Sequence, residues 1–343
     1  MFPAEIPGIN PEKFSRCDER RRQIADHGKS LSPVQKTDAA LKENITHAFW
    51  KDDVLRAIEY SEIDVQVENG IVYLSGHIAG RMSQSRIENA LRATPGILGI
   101  RNDLVLDDKL TLDVAVSLGN LEHTHGCKFF TGASHGVISL NGNVSAENVK
   151  LLAEKCAASN PDVRAVINHV HVSGAGQELQ DQPFLQPTIA GIIYFLDGIS
   201  GVIKQVIINP NNRRVTAMII EGKFTDQHYD INFLTGGKAR FPPEPLVIVP
   251  MSEVRYLTKA SGFLNINSNE RNRYMEFNPA RFFSPKNGWK APHPYCPDDV
   301  LFPVEQREVE YQILEQLPRS PFGAALQEQA LWEQLLANDS LGG

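Results

Sequence analysis

Residues 69–76 read Asn-Gly-Ile-Val-Tyr-Leu-Ser-Gly, and residues 135–142 read His-Gly-Val-Ile-Ser-Leu-Asn-Gly. Each stretch combines a turn, a run of residues with high β propensity and a second glycine, which is typical of a strand that follows a hairpin turn. The same offset of 66 residues also aligns Pro95 with Pro161 without a gap. This constant offset indicates an internal duplication of one structural unit.

Helical patterns follow the two repeated strands. Residues 83–94 and 145–159 each place apolar side chains on one helix face, and a proline comes directly after or near the end of each helix. A final β-rich strand closes each copy, over residues 100–106 and 166–172.

The helix that opens each copy is clearer in the first copy than in the second. In the first copy, Leu41, Ile45 and Phe49 recur at helical spacing. The counterpart near residues 112–121 contains Gly119 and β-branched residues, which lower its helix propensity. The predicted order of elements in each copy is therefore αββαβ.

The repeated text resembles the BON family, whose signature is Val-x-x-Gly-x-Val-x-Leu-x-Gly followed later by Gly-Val-x-x-Val-x-Asn. Residues 67–76 and 96–102 match this signature in the first copy, and residues 136–142 and 162–168 match it in the second. In the second copy, Asp162 replaces the glycine of the later motif.

The resemblance covers residues 38–172 and implies two consecutive BON-like modules, over residues 38–108 and 109–172. BON resemblance has been taken to imply binding at a phospholipid surface or to a small ligand. It carries no implication of a catalytic site.

A third module follows a linker. Residues 173–187 are rich in Gly, Gln and Pro, which is typical of an exposed linker. Short β-rich runs separated by turns then predict a small β-barrel over residues 188–262. The runs are residues 189–195, 201–208, 214–221, 229–234 and 246–250. Residues 191–210 resemble the PRC-barrel family, which implies a domain that serves protein docking. The predicted fold class is α+β, with two αββαβ modules followed by the barrel.

The two ends of the chain are predicted to be arms, over residues 1–37 and 263–343. Residues 287–297 are rich in aromatic residues and proline, which favours an extended segment that covers another surface. Disorder of this segment is the alternative. A short amphipathic helix is predicted near the chain end, and it either packs on its own domain or serves as a docking peptide. The candidate protein-contact residues of the C-terminal arm are Trp289, Tyr295, Leu331, Trp332 and Leu335.

The composition argues against several classes of protein. The 343 residues carry a formal net charge of -7, without the basic surplus of nucleic-acid-binding domains, so no nucleic acid is expected. Four cysteines lie far apart without Cys-x-x-Cys spacing, which favours a reducing compartment. Neither an apolar secretion signal nor a membrane-spanning apolar run is visible. These observations predict a soluble, cytoplasmic protein, and the BON resemblance implies a bacterial one.

Two groups of side chains have the spacing of metal ligands. His123, His125 and Cys127 lie within five residues, and His169 and His171 alternate onto one face of a strand. A loop with two histidines more often carries only solvated side chains, so we expect no metal. No nucleophile-base pattern, phosphate-binding loop or paired carboxylates stand out, so we expect neither a cofactor nor an enzyme.

The sequence therefore favours a non-enzymatic binding or scaffold protein, which assembles with itself or docks on a protein partner. The alternative is a peripheral membrane protein that binds phospholipid, or a protein that binds a small ligand.

Overall fold

A computed structural model describes residues 33–174, 184–222, 245–286 and 288–304. These residues belong to two compact units. The first unit contains the described parts of residues 1–180 together with residues 210–214 and 288–298. The second unit contains the other described residues from 184 onward.

The first copy of the repeat is an αββαβ module of the first unit. Its central strand β2 pairs antiparallel with β1 and parallel with β3. The helices and strands of this first module are α1 (Pro33–Lys51), a π-helical turn (Leu55–Glu59), β1 (Ile63–Glu68), β2 (Ile71–Ile78), α2 (Arg81–Arg92) and β3 (Gly99–Leu106).

The second copy has the same topology, because β5 pairs antiparallel with β4 and parallel with β6. The elements of this second module are α3 (Asp107–His125), β4 (Lys128–Ser134), β5 (Val137–Val144), α4 (Glu147–Ala158) and β6 (Ala165–Val172). The predicted duplication is confirmed. Helix α3 is longer than the predicted span of residues 112–121, since its buried apolar face offsets the low propensity of Gly119 and its β-branched residues.

Each module buries both helices against one face of its sheet. In the first module the core contains Leu41, Ile45, Phe49, Val72, Leu74, Ile87 and Leu91, and in the second it contains Leu110, Val114, Leu118, Ile138, Leu140, Val149 and Ala153. Leu152, whose spacing on α4 also predicts a core position, is instead 45% exposed.

The hairpin turn of each module is tied to the preceding helix by a carboxylate. Residues 69 and 70 form a two-residue turn with positive φ at both positions, which Asn and Gly adopt readily. Their backbone N–H groups donate to the Asp38 carboxylate, at 2.8 and 3.0 Å. In the second module, the N–H groups of His135 and Gly136 donate to Asp107 at 2.5 and 2.8 Å. The duplication therefore extends to side-chain hydrogen bonds.

The second unit is built on a sheet of nine strands that curls into a half-barrel. Strand β8 pairs antiparallel with β7 and β9 and parallel with β15. The strands are β7 (Ile192–Tyr194), β8 (Ser200–Ile208), β9 (Val215–Gly222), β10 (Leu246–Pro250), β11 (Val254–Leu257), β12 (Ser261–Leu264), β13 (Met275–Glu276), β14 (Phe282–Phe283) and β15 (Val300–Pro303). The α+β fold class is confirmed.

Two elements predicted for the C-terminal half stay predictions. The β-rich run at residues 229–234 lies outside the described residues, as does the amphipathic helix near the chain end. Strands β13 to β15 continue the sheet as far as Pro303, within the segment predicted to be an arm. Their shortness explains why no periodic pattern reveals them.

Replacing Asp38 by Ala should lower the free energy of unfolding by about 1 kcal/mol, because two turn N–H groups lose their acceptor while water can still reach them. The control is Asp103→Ala, which removes an exposed carboxylate on β3 and should change stability by less than about 0.5 kcal/mol. Urea unfolding followed by circular dichroism measures both variants. Equal losses in the two variants would contradict the role assigned to Asp38.

Candidate functional site

The structure places the candidate contact residues of the aromatic segment inside the first unit. The guanidinium of Arg213 lies over the ring of Trp289, at 5.0 Å from its centroid. Tyr295 is buried in the same unit. The other three candidates, Leu331, Trp332 and Leu335, lie outside the described residues. A contact of any of the five with a partner protein stays a prediction.

The histidines with metal-ligand spacing lie on the surface. His123 and His125 occupy the last turn of α3 and are exposed, whereas Cys127 is half-buried, and burial raises the pKa of its thiol. His169 and His171 are exposed on β6. Within the described ranges, no three His, Cys, Asp or Glu side chains are grouped so that they could hold a metal ion.

The two modules meet at a polar network that sequence reasoning missed. Its centre is Arg164, which directly precedes β6 in the second module and is 8% exposed. One Nη of Arg164 donates to a Glu62 carboxylate oxygen of the first module at 2.7 Å and to the His135 carbonyl at 2.9 Å. Its Nε donates to the His293 carbonyl at 3.1 Å. A single guanidinium therefore binds both modules and the segment 288–298.

The electrostatics of the Glu62–Arg164 pair favour the ionised carboxylate. Partial burial alone would raise the pKa of Glu62, but the charge of Arg164 and its hydrogen bond outweigh this effect and lower the pKa. A buried pair of this kind is costly to break, because the remaining partner is left without a counter-charge.

His77 of β2 is the second contact between the modules. Its ring is almost completely buried, and its Nε2 lies 2.7 Å from the Asp162 carbonyl, so Nε2 carries the hydrogen. Burial lowers the pKa of His77 to about 4. The ring packs so closely on the second turn that a Cβ at Gly136 would lie 2.4 Å from it.

The segments 210–214 and 288–298 extend the network. Arg213 donates to the Lys290 carbonyl at 2.7 Å, and the Lys290 ammonium pairs with the Asp162 carboxylate. The backbone N–H of Val166 donates to the Asn212 carbonyl at 2.8 Å. Burial lowers the pKa of Arg213 to about 10, which leaves it charged at neutral pH. We call this network the clamp, and it lies within the first unit. Its side chains are those of Glu62, His77, Asp162, Arg164, Arg213 and Lys290.

One departure from the BON signature could have pointed to this network. Asp162 replaces the signature glycine, and both its carbonyl and its carboxylate are used in the clamp. Arg164 and Glu62 give no comparable signal, because they are separated by 102 residues and neither belongs to a periodic pattern.

Comparison with protein families identifies a BON domain in two segments, residues 37–108 and 133–174. The first match spans the first module from residue 37 of α1 onward, whereas the second begins within β4, so α3 lies outside it. The PRC-barrel resemblance of the third module stays a prediction. No curated protein matches the chain.

Two solved structures show a limited likeness to the chain. Both are of CdsD, a structural protein of the type III secretion system of Chlamydia trachomatis, at 17% and 16% sequence identity and a TM-score of 0.32 in each case. They cover 39% and 38% of this chain, and 63% and 64% of their own length. The chain thus spans less than two thirds of either solved chain.

Among the helices that the structure describes, none combines the length and the apolar character needed to cross a membrane.

Replacing Arg164 by Ala should destabilise the protein by about 3 kcal/mol, because Glu62 and two carbonyl groups lose their charged donor. The control is Arg92→Ala, which removes an exposed pair with Glu88 on α2 and should cost less than about 0.5 kcal/mol. Chemical denaturation of both variants and of Arg164→Ala/Glu62→Gln tests this. If the second substitution restores no stability, the explanation through the unpaired carboxylate is wrong.

Acidification should also weaken the clamp. Above pH 6.5 His77 is neutral in the folded and unfolded states, but between pH 6.5 and about 4 only the unfolded chain takes up its proton. The free energy of unfolding should therefore fall over this window, by on the order of 3 kcal/mol. The lowered pKa of Glu62 acts in the same direction at the acidic end.

Thermal unfolding between pH 7 and pH 4.5 measures this effect. His77→Gln, which keeps a donor towards Asp162, should reduce the pH dependence. His123→Gln, at an exposed position outside the clamp, should leave it unchanged. An unchanged slope in His77→Gln would show that another group is responsible.

Proposed function

We propose that the protein is a non-enzymatic scaffold, which assembles with itself or docks on a protein partner. The observation that carries this proposal is the clamp centred on Arg164. It fixes two BON-like modules to each other through a partly buried ion pair and hydrogen bonds. A fixed pair of modules presents its outer surfaces in a constant arrangement, which lowers the ordering cost of binding.

The clamp's side chains are engaged with one another rather than directed at a substrate. Arg164 binds a carboxylate and two carbonyl groups, and His77 holds its imidazole against a carbonyl. A general base must reach a proton of the substrate, which a buried and hydrogen-bonded imidazole does not. This arrangement supports a structural role for this buried polar region of the first unit.

Large apolar side chains on the surface support protein binding. Leu112 and Val116, one turn apart on α3, are mostly exposed although their module has a well-formed core. Exposed apolar groups that gather on one face mark sites of protein contact more often than scattered ones do. The BON match fits a binding role, although a fold alone does not determine function.

The location of the protein is a separate proposal. The sequence favours the cytoplasm, and the half-buried Cys127 and Cys156 are free thiols. Cys296, in contrast, is disulfide-bonded, and disulfides persist mainly in oxidising compartments. Counting free thiols in protein taken directly from its native cells would decide between the two compartments.

Light scattering after size exclusion, over concentrations from about 1 to 100 μM, tests self-assembly of the full chain. We expect a mass that rises above the 38.1 kDa of one chain. A constant mass of one chain would contradict self-assembly. Flotation of the protein with vesicles that contain anionic phospholipid would instead favour the peripheral membrane alternative, and vesicles of neutral lipid provide the control.

A further inference from the structure

Helix α3 has apolar side chains on two opposite faces. Leu110, Val114 and Leu118 point into the core of the second module. Leu112, Ala115, Val116 and Gly119 recur at the helical spacing of i, i+3, i+4 and i+7 on the other side, and we call these four residues the α3 outer face. Leu112 is 63% exposed and Val116 is 72% exposed.

The first module provides an internal comparison, because α1 is the counterpart of α3. Asp38 corresponds to Asp107, and the core residues Leu41, Ile45 and Phe49 correspond to Leu110, Val114 and Leu118, all at an offset of 69 residues. At the positions equivalent to the α3 outer face, α1 carries Glu43, Thr46, His47 and Trp50.

This comparison shows that the fold itself does not require an apolar outer face. Three of the four equivalent residues of α1 are polar, and the fourth, Trp50, packs its ring on Tyr60 at 5.1 Å. The two modules share topology and turn hydrogen bonds, so the difference between the helices is not a consequence of folding. An apolar surface kept in contact with water is explained by a partner that covers it.

We propose that the α3 outer face binds the α3 outer face of a second copy of this chain, with the two helices antiparallel. This inference deepens the proposed self-assembly and rests on it. The contact is isologous, since the same residues come from both copies. The α3 outer face is therefore one specific surface through which the chain dimerises.

The side-chain sizes fit an antiparallel pair centred between Ala115 and Val116. In that register, Leu112 of one copy lies level with Gly119 of the other, and the reverse holds at the opposite end. Among the residues that the structure describes, an added Cβ at Gly119 would meet no atom beyond its own helix backbone and chain neighbours within 4 Å, so the space above it is open to a large side chain. A leucine opposite a glycine is the pairing of large and small residues that close helix packing needs.

The charges fit the same register. Asp108, which is exposed at the start of α3, lies level with the exposed His123 of the second copy, and its carboxylate can accept a hydrogen bond from the imidazole. Lys109 likewise lies level with Glu122. In a parallel pair, each of these residues would lie level with the same residue of the second copy, and the two helix dipoles would be aligned unfavourably.

The interface is expected to be small and its affinity moderate. A helix pair of this length falls at the lower end of specific interfaces, so association in the micromolar range is expected. Leu152 of α4 adds exposed apolar area beside α3, because Cys156, one turn later, donates from its Sγ to the Ser117 carbonyl of α3 at 3.3 Å.

The test replaces residues of the α3 outer face with those of its counterpart. Leu112→Glu/Val116→His introduces the residue types of Glu43 and His47 of α1 into the full chain. We expect the dimer dissociation constant, measured by sedimentation velocity, to rise at least tenfold. The matched control is Met82→Glu/Leu98→Glu, which places polar groups at two other exposed apolar positions and should leave the constant unchanged.

A second variant separates loss of contact from loss of fold. Gly119→Leu improves helix propensity and fills open space in its own chain, but it would collide with Leu112 of the second copy. We expect a thermal midpoint at or above that of the wild type together with weakened dimerisation.

The outcomes distinguish this inference from the broader proposal. Weakened association in both α3 variants, with an unchanged control, supports the α3 outer face as the interface. A wild type that assembles, and variants that assemble equally well, overturns this inference and leaves self-assembly standing. A wild type that stays monomeric up to about 100 μM overturns both this inference and self-assembly. This holds even if a different protein binds the α3 outer face.

Discussion

The arrangement of the first unit depends on one guanidinium. Arg164 binds the carboxylate of Glu62, the carbonyl of His135 and the carbonyl of His293, so it joins the two modules and the segment 288–298. Its counterpart in the first module is Leu98, which makes the same backbone hydrogen bond to the turn but is 81% exposed. At these equivalent positions, the leucine of the first module is exposed, whereas the arginine of the second module connects the two modules.

The repeat and its fold could be predicted because local patterns specify them. Glycines at turn positions with positive φ, the alternation of β-rich residues and the spacing of Leu41, Ile45 and Phe49 each leave a signal within a few residues. The α+β fold class and the αββαβ order follow from these signals. Helix α3 was the least clear element, because Gly119 and its β-branched residues lower the helix propensity.

The functional surfaces were harder to predict because they depend on contacts between distant residues. The hydrogen bond from Arg164 to Glu62 joins two modules, and no local sequence pattern around either residue predicts it. The aromatic segment was predicted as a covering arm, and the structure places the ring of Trp289 against the guanidinium of Arg213 and buries Tyr295 within the first unit. Whether they also contact a partner depends on surfaces that a single sequence does not encode locally.

The close approach of His77 to Gly136 has a consequence for the evolution of tandem modules. The Cβ of an alanine at position 136 would clash with the imidazole ring of His77. Such a substitution is therefore tolerated only after His77 has been replaced by a smaller residue. The residue at the second turn is therefore restricted to glycine by the neighbouring module as well as by its own backbone conformation. In related tandem chains, the two positions should vary together, and a lone module should be free of this constraint.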